Sequence, residues 1–206
     1  MIRDFIAHLF PRTVRRDDLR FTVTFCLGGL AFTAFITLVA TGALLAFHYV
    51  PSPGGAYRSI ASIDADVSGG RYLRAMHRLA SHAFLVLVGL HALRVAVRGA
   101  YRPPREMNWL LGCALMALAV ASAWTGTLLP MDQPAIWATQ TGTELIRTLP
   151  MSERFVGWLA PDGVGRAGTL LRFYLLHVLL LPGTVAAVSA LHFYRVRKNR
   201  GVLPWL

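Results

Sequence analysis

The sequence is poor in cysteine, in acidic residues and in charge altogether. Cys26 and Cys113 are its only two cysteines, too few for a disulfide framework. Asp and Glu together number 10 against 21 Lys and Arg, and charged residues make up only 15% of the chain. There is no internal repeat and no low-complexity segment. Residues 1–20 are charged and lack the short apolar core and small-residue cleavage site of a secretory signal. What the chain has in abundance is apolar sequence, 55% of it, at a mean hydropathy of +0.49, in runs long enough to cross a bilayer. The composition excludes an ordinary soluble domain and reads as an integral membrane protein.

A net charge of +11 would suit nucleic acid, but its distribution argues against that. Thirteen of the Lys/Arg fall in three places, residues 3–20, 94–105 and 195–200. With four spans these lie on one side of the membrane. On the other side, Arg58, Arg71, Arg74, Arg147, Arg154, Arg166 and Arg172 are nearly cancelled by Asp64, Asp66, Asp132, Glu144, Glu153 and Asp162. This is a positive-inside pattern. It predicts a multi-pass protein of the bacterial cytoplasmic membrane with both termini cytoplasmic and no nucleic-acid partner.

The expected architecture is all-α: a four-helix membrane bundle forming one domain over residues 1–206, with spans at about 21–50, 71–98, 107–129 and 169–198. Ile2, Phe5, Ile6, Leu9 and Phe10 recur at helical spacing ahead of Pro11, as in an interfacial helix. The outer loop over 52–70 is polar and turn-rich. The segment 129–168 is too apolar for a linker, and its Trp137 and Trp158 suit short helices lying in the outer interface.

The second span carries His77 and His91, fourteen residues apart. On a helix this is nearly four turns, so the rings lie about 40° apart in azimuth and about 21 Å apart in depth. The fourth span carries His177 and His192. Both spans run inward, so depth matches His77 with His177 near the outer face and His91 with His192 near the inner one. A lone intramembrane histidine can simply hydrogen-bond a neighbouring helix. Two depth-matched pairs point instead to two haems, each held between two imidazoles. The fifteen-residue spacing of His177 and His192 would splay the rings by about 60°, and Pro182 marks where a kink or local rewinding absorbs it. His8, His48 and His82 have no depth-matched partner.

Gly28 and Gly42 in the first span, and Gly112 and Gly126 in the third, repeat the fourteen-residue period. Glycine lets a bulky planar group approach a helix; small-residue helix packing is the competing explanation. Arg74, Arg78, Arg94 and Arg197 stand near the histidines, either as interface anchors or as partners for haem propionates.

These residues carry a resemblance. FCLGG (25–29) with VATG (39–42), MHR (76–78) with HALR (91–94), RPPREMNW (102–109), LLPMDQ (128–133), and RFYLLHVLLLP (172–182) with HFYRVRK (192–198) resemble the cytochrome b family. Within it they are similar to the b6 type, the four-helix subunit of b6f-type complexes. The resemblance implies two b haems, an outer one on His77 and His177 and an inner one on His91 and His192. It implies propionate contacts from Arg74 and Arg78 to the outer haem and Arg94 to the inner. It also implies a covalent c-type haem on Cys26 through a single thioether, with Arg197 beside it, at the inner quinone site. No Cys-x-x-Cys-His run is present, so residues alone would make Cys26 a small buried hydrophobe. Cys113 matches no such position.

By the same resemblance the chain would be the electron-transfer subunit of a quinol:cytochrome c, or plastocyanin-like, oxidoreductase. It would not be active alone. Quinol would be oxidised near the outer loop, with protons released outside and taken up inside. Its partners would be a Rieske iron–sulfur protein, a c-type cytochrome and a subunit IV-like half carrying the PEWY motif, which this sequence lacks; the complex would be dimeric. Where the family has Pro-Trp, this chain has Pro130-Met131. The alternative is a di-haem anchor passing electrons between the quinone pool and a soluble dehydrogenase or hydrogenase.

Overall fold

The computed structural model describes residues 26–198; the expected interfacial helix at 1–10 and the start of the first span lie outside them. The elements are α1 (Leu27–Ala46), α2 (Ala56–Ala65), α3 (Gly70–Val97), α4 (Glu106–Thr127), α5 (Gln133–Arg147), α6 (Glu153–Leu159), α7 (Ala167–Leu175), a π-helical turn (Leu176–Leu180) and α8 (Leu181–Lys198). Among the described residues there is no strand. Four helices are long and apolar enough to cross a membrane: α1, α3, α4 and the continuous Ala167–Lys198. Their large apolar side chains point outward, as Leu79 at 70% and Val97 at 77% exposed illustrate. That is the inverse of a soluble bundle and the arrangement lipid requires. The protein is integral to the membrane.

The chain forms two compact units, and α1, α3 and α4 each contribute to both. One unit comprises Thr37–Ser81 and Val120–Pro182. Its core is Ala56, Leu128, Leu159, Leu170 and Phe173, with Tyr49, Trp124, Met131 and Ile136 packed against it. Tyr49 stacks on Tyr174 at 5.5 Å and donates its hydroxyl to the Leu129 carbonyl at 2.7 Å. Membrane helices gain little from hydrophobic burial against one another, so such directed contacts do much of the fixing.

The apolar segment 129–168 forms two helices, α5 and α6, before α7. Asp132 caps α5, accepting from the Ala135 amide at 2.9 Å, with Pro134 in the first turn. Gly142 lies so close to the Trp124 ring that a Cβ there would collide with it. Arg147 pairs with Glu153 at 2.8 Å across the α5–α6 turn. Asp162 accepts from the amides of Gly168 and Thr169 and from the Thr169 hydroxyl at 2.7–2.9 Å, tying down the start of α7. Asp132→Ala is expected to remove about 1 kcal/mol from α5. Hydrogen exchange over 133–147 should speed up by about fivefold, with α7 unchanged.

The outer loop differs from its expectation. Residues 56–65 fold into α2, whose buried Ala56, Ser59 and Ile63 form a stripe. The stripe is too short and too weakly apolar to stand out between Gly54-Gly55 and Gly69-Gly70. Asp64 on α2 holds Arg74 of α3 through two contacts, Nε to Oδ1 at 2.8 Å and Nη2 to Oδ2. That hydrogen-bonded guanidinium keeps the Asp64 carboxyl below its usual range. Gly70 sits against the Ile63 carbonyl, where any side chain would clash.

The other unit contains the described parts of Met1–Ile36 and Gly183–Leu206, together with His82–Ala119. Phe32 meets Phe193 edge-on at 5.0 Å, and Phe35 meets Phe84 at 5.9 Å. Helix α3 ends at Gly99, φ +64°, with the Ala100 amide bonded to the Val95 carbonyl. This is a left-handed glycine stop, and the basic segment up to Arg105 follows it.

Candidate haem-binding sites

Each unit brings two histidines together. In the first, the rings of His77 (α3) and His177 (π-helical turn) stand 6.2 Å apart, centre to centre, at 75°. In the second, His91 (α3) and His192 (α8) stand 6.4 Å apart at 81°. A metal–imidazole bond of about 2 Å, plus roughly 1 Å from ring nitrogen to ring centre, puts two rings on opposite sides of one ion about 6 Å apart. Both pairs match that separation. Among the described residues, no group of three or more His, Cys, Asp or Glu could hold a bare ion. Two imidazoles suit an iron whose remaining positions a planar macrocycle fills.

The four glycines touch the four rings. A Cβ on Gly42 would lie 3.1 Å from His77 Cε1, and one on Gly126 would lie 2.5 Å from His177 Cε1. On Gly28 it would meet His91 Cε1 at 3.3 Å, and on Gly112 His192 Cε1 at 3.6 Å. Each glycine thus stands directly against an imidazole.

Seating the rings there also aims them. His177 Nδ1 lies 2.8 Å from the Ser122 carbonyl, four residues before Gly126. His77 Nδ1 lies 2.9 Å from the Thr41 hydroxyl, next to Gly42. His192 Nδ1 is buried and closes no hydrogen bond. With Nδ1 protonated against a carbonyl, the other nitrogen keeps its lone pair for a metal. Thr41 and Ser122 were not legible as site residues; the signal that marks Thr41 is a threonine directly before a period glycine.

The π-helical turn resolves the fifteen-residue spacing. The Leu181 amide bonds to the Leu176 carbonyl, five residues back, so the turn takes up one extra residue. Pro182, which has no N–H to give, follows directly. The extra residue of the fifteen-residue spacing is thus taken up within the helix itself.

The remaining expected positions are more scattered. Cys26 is exposed, with φ +51°, in the turn before α1. Arg74 is engaged by Asp64. Arg78 and Arg197 are exposed and Arg94 is half-buried. Cys113 is half-buried in α4, and His48 and His82 are exposed. Met131, at the altered outer-loop motif, has φ +53° and packs on the core.

The sequence profile described as Cytochrome b/b6/petB matches residues 17–200. A cytochrome b6 of Heliomicrobium gestii is 40% identical over 176 residues, 85% of this chain and 83% of that one. The menaquinol:cytochrome c reductase cytochrome b subunit of Bacillus subtilis (strain 168) is 35% identical over 202 residues, 97% of this chain and 90% of its own. A solved chain of a hyperthermophilic respiratory Complex III is 28% identical with a TM-score of 0.80, over 85% of this chain and 47% of that one, so this chain spans about half its length. With the profile spanning nearly the whole sequence and four membrane helices that display paired histidines, the chain belongs to the cytochrome b/b6 family.

Proposed function

We propose that this chain is the haem-bearing cytochrome b subunit of a quinol oxidoreductase of bc or b6f type, holding one haem b between His77 and His177 and another between His91 and His192. The observation that carries this is the repeated ring separation, 6.2 and 6.4 Å, each pair enclosed within one compact unit. Bound haem supplies a one-electron carrier whose potential answers to its axial ligands and their hydrogen bonds. The chain's own part is to hold and aim imidazoles. Ser122 and Thr41 fix the tautomers of His177 and His77, and the glycines seat the rings. The histidines lie within apolar membrane helices and serve as ligands, not as acids or bases.

The unit with His91 and His192 also contains the basic segments 94–105 and 195–198, which supports placing that site on the cytoplasmic side. The motif at 128–133 then belongs to the outer side, where quinol oxidation would take place with a Rieske protein and a PEWY-bearing half. Relatives named as a menaquinol:cytochrome c reductase subunit and as part of a respiratory Complex III support a complex of this kind. A third, covalent haem on Cys26 rests on the FCLGG likeness and on the exposure of Cys26 just before α1, in the unit of the His91–His192 pair.

Pigment analysis of the purified complex tests the whole reading. Two extractable b haems per chain are expected, with one haem stain that survives denaturing electrophoresis and disappears in Cys26→Ala. A colourless protein would overturn both redox assignments; loss of the stain alone from the wild type would remove only the covalent haem.

A further inference from the structure

We propose that Thr41 is a positioning residue for the outer ligand, accepting the His77 Nδ1 proton and thereby lowering the reduction potential of the His77–His177 centre. The inference rests on haem being held by that pair. Thr41 is 5% exposed, and its hydroxyl contacts three groups: the Thr37 carbonyl at 2.7 Å, the Leu38 carbonyl at 3.3 Å and His77 Nδ1 at 2.9 Å. A hydroxyl has one proton and two lone pairs. The shortest contact, to Thr37, takes the proton, so toward His77 the oxygen accepts. His77 must then carry its proton on Nδ1, which leaves the Nε2 lone pair free for a metal. The opposite tautomer would put a proton on the lone pair that has to bind the iron. A hydrogen bond from Nδ1 raises the basicity of the coordinating nitrogen, and a more basic axial ligand favours the ferric state.

The pattern is asymmetric along the helices. The two glycines of the His77–His177 site follow threonines, Thr41-Gly42 and Thr125-Gly126, whereas the other two follow leucines, Leu27-Gly28 and Leu111-Gly112. Thr125 donates back to Ala121 and to Ser122, whose carbonyl also faces His177 Nδ1. Only Thr41 touches a ring through its hydroxyl among the described hydrogen bonds.

The experiment compares Thr41→Val, Thr41→Ala and Thr41→Ser in the assembled complex, reading haem content and the midpoint potential of each b centre by spectroelectrochemistry. The step that disappears in His77→Leu identifies the centre concerned. Thr41→Val, close in shape but without a hydroxyl, should move that midpoint upward and leave the other b centre in place. Thr41→Ala, which favours a helix, should do the same, and Thr41→Ser should restore the wild-type value. Wild-type midpoints in both Val and Ala variants, or a shift in Ser equal to that in Val, would overturn the proposal. Wild-type complex without b haem would instead overturn the reading beneath it.

Discussion

Replacing His77 by leucine should leave the complex with one b haem per chain instead of two. Leucine has no lone pair, so the iron would keep only His177. That ring's Nδ1 is committed to the Ser122 carbonyl at 2.8 Å, and the ring is wedged against Gly126. One ring cannot supply both ligands, and the other paired imidazoles, His91 and His192, are engaged with each other in the other unit. His91 and His192, with Gly28 and Gly112, lie entirely within the other compact unit, so their centre should remain. His192→Leu should give the reciprocal result. Pyridine haemochrome spectra report the count, and the ratio of extractable haem to protein should fall by about half in each variant. Because a tightly bound cofactor stabilises the state that binds it, each variant should also melt at a lower temperature than wild type. A protein that used these histidines only for interhelical hydrogen bonds would show the stability loss with no change in colour. A variant retaining both haems would exclude His77 as a ligand.

The spans and the histidine pairs are legible in the sequence because both depend on long periods. Twenty apolar residues and a fourteen-residue recurrence survive any local irregularity. The fifteen-residue spacing of His177 and His192 is legible as a problem, and Pro182 as its address; that the answer is a π-helical turn is not, since bending and overwinding absorb the same mismatch. Helix α2 escapes because its buried stripe is Ala56, Ser59 and Ile63, two of them small residues that also suit a turn. The engagement of Arg74 by Asp64 escapes for a different reason. The two are ten residues apart on separate helices, and their meeting depends on the turn around Gly69-Gly70. The glycine period is visible in sequence, but the contact of each glycine with an imidazole is not: spacing says only that something bulky comes close.

That distinction makes the glycines unequal and gives the second large effect. Gly126→Ala should strip haem from the His77–His177 site, while Gly112→Ala should leave the His91–His192 site intact. A methyl group on Gly126 would fall 2.5 Å from His177 Cε1, 3.0 Å from Nδ1 and 3.1 Å from Nε2. Carbon atoms prefer about 3.5–4 Å, so the ring would have to retreat by about 1 Å. The Ser122 hydrogen bond holds it on one side, and the π-helical turn fixes its backbone on the other. On Gly112 the same methyl would sit 3.6 Å from His192 Cε1, ordinary contact. Gly42 and Gly28, at 3.1 and 3.3 Å, should fall between them. Alanine is a better helix former than glycine by about 1 kcal/mol, so backbone propensity works in favour of all four variants and cannot account for a loss. Haem content should therefore decline in the order Gly112, Gly28, Gly42, Gly126. If the glycines served helix packing alone, the series would follow interhelical distance and bear no relation to the ring contacts; equal haem retention in Gly126→Ala and Gly112→Ala would establish that they do.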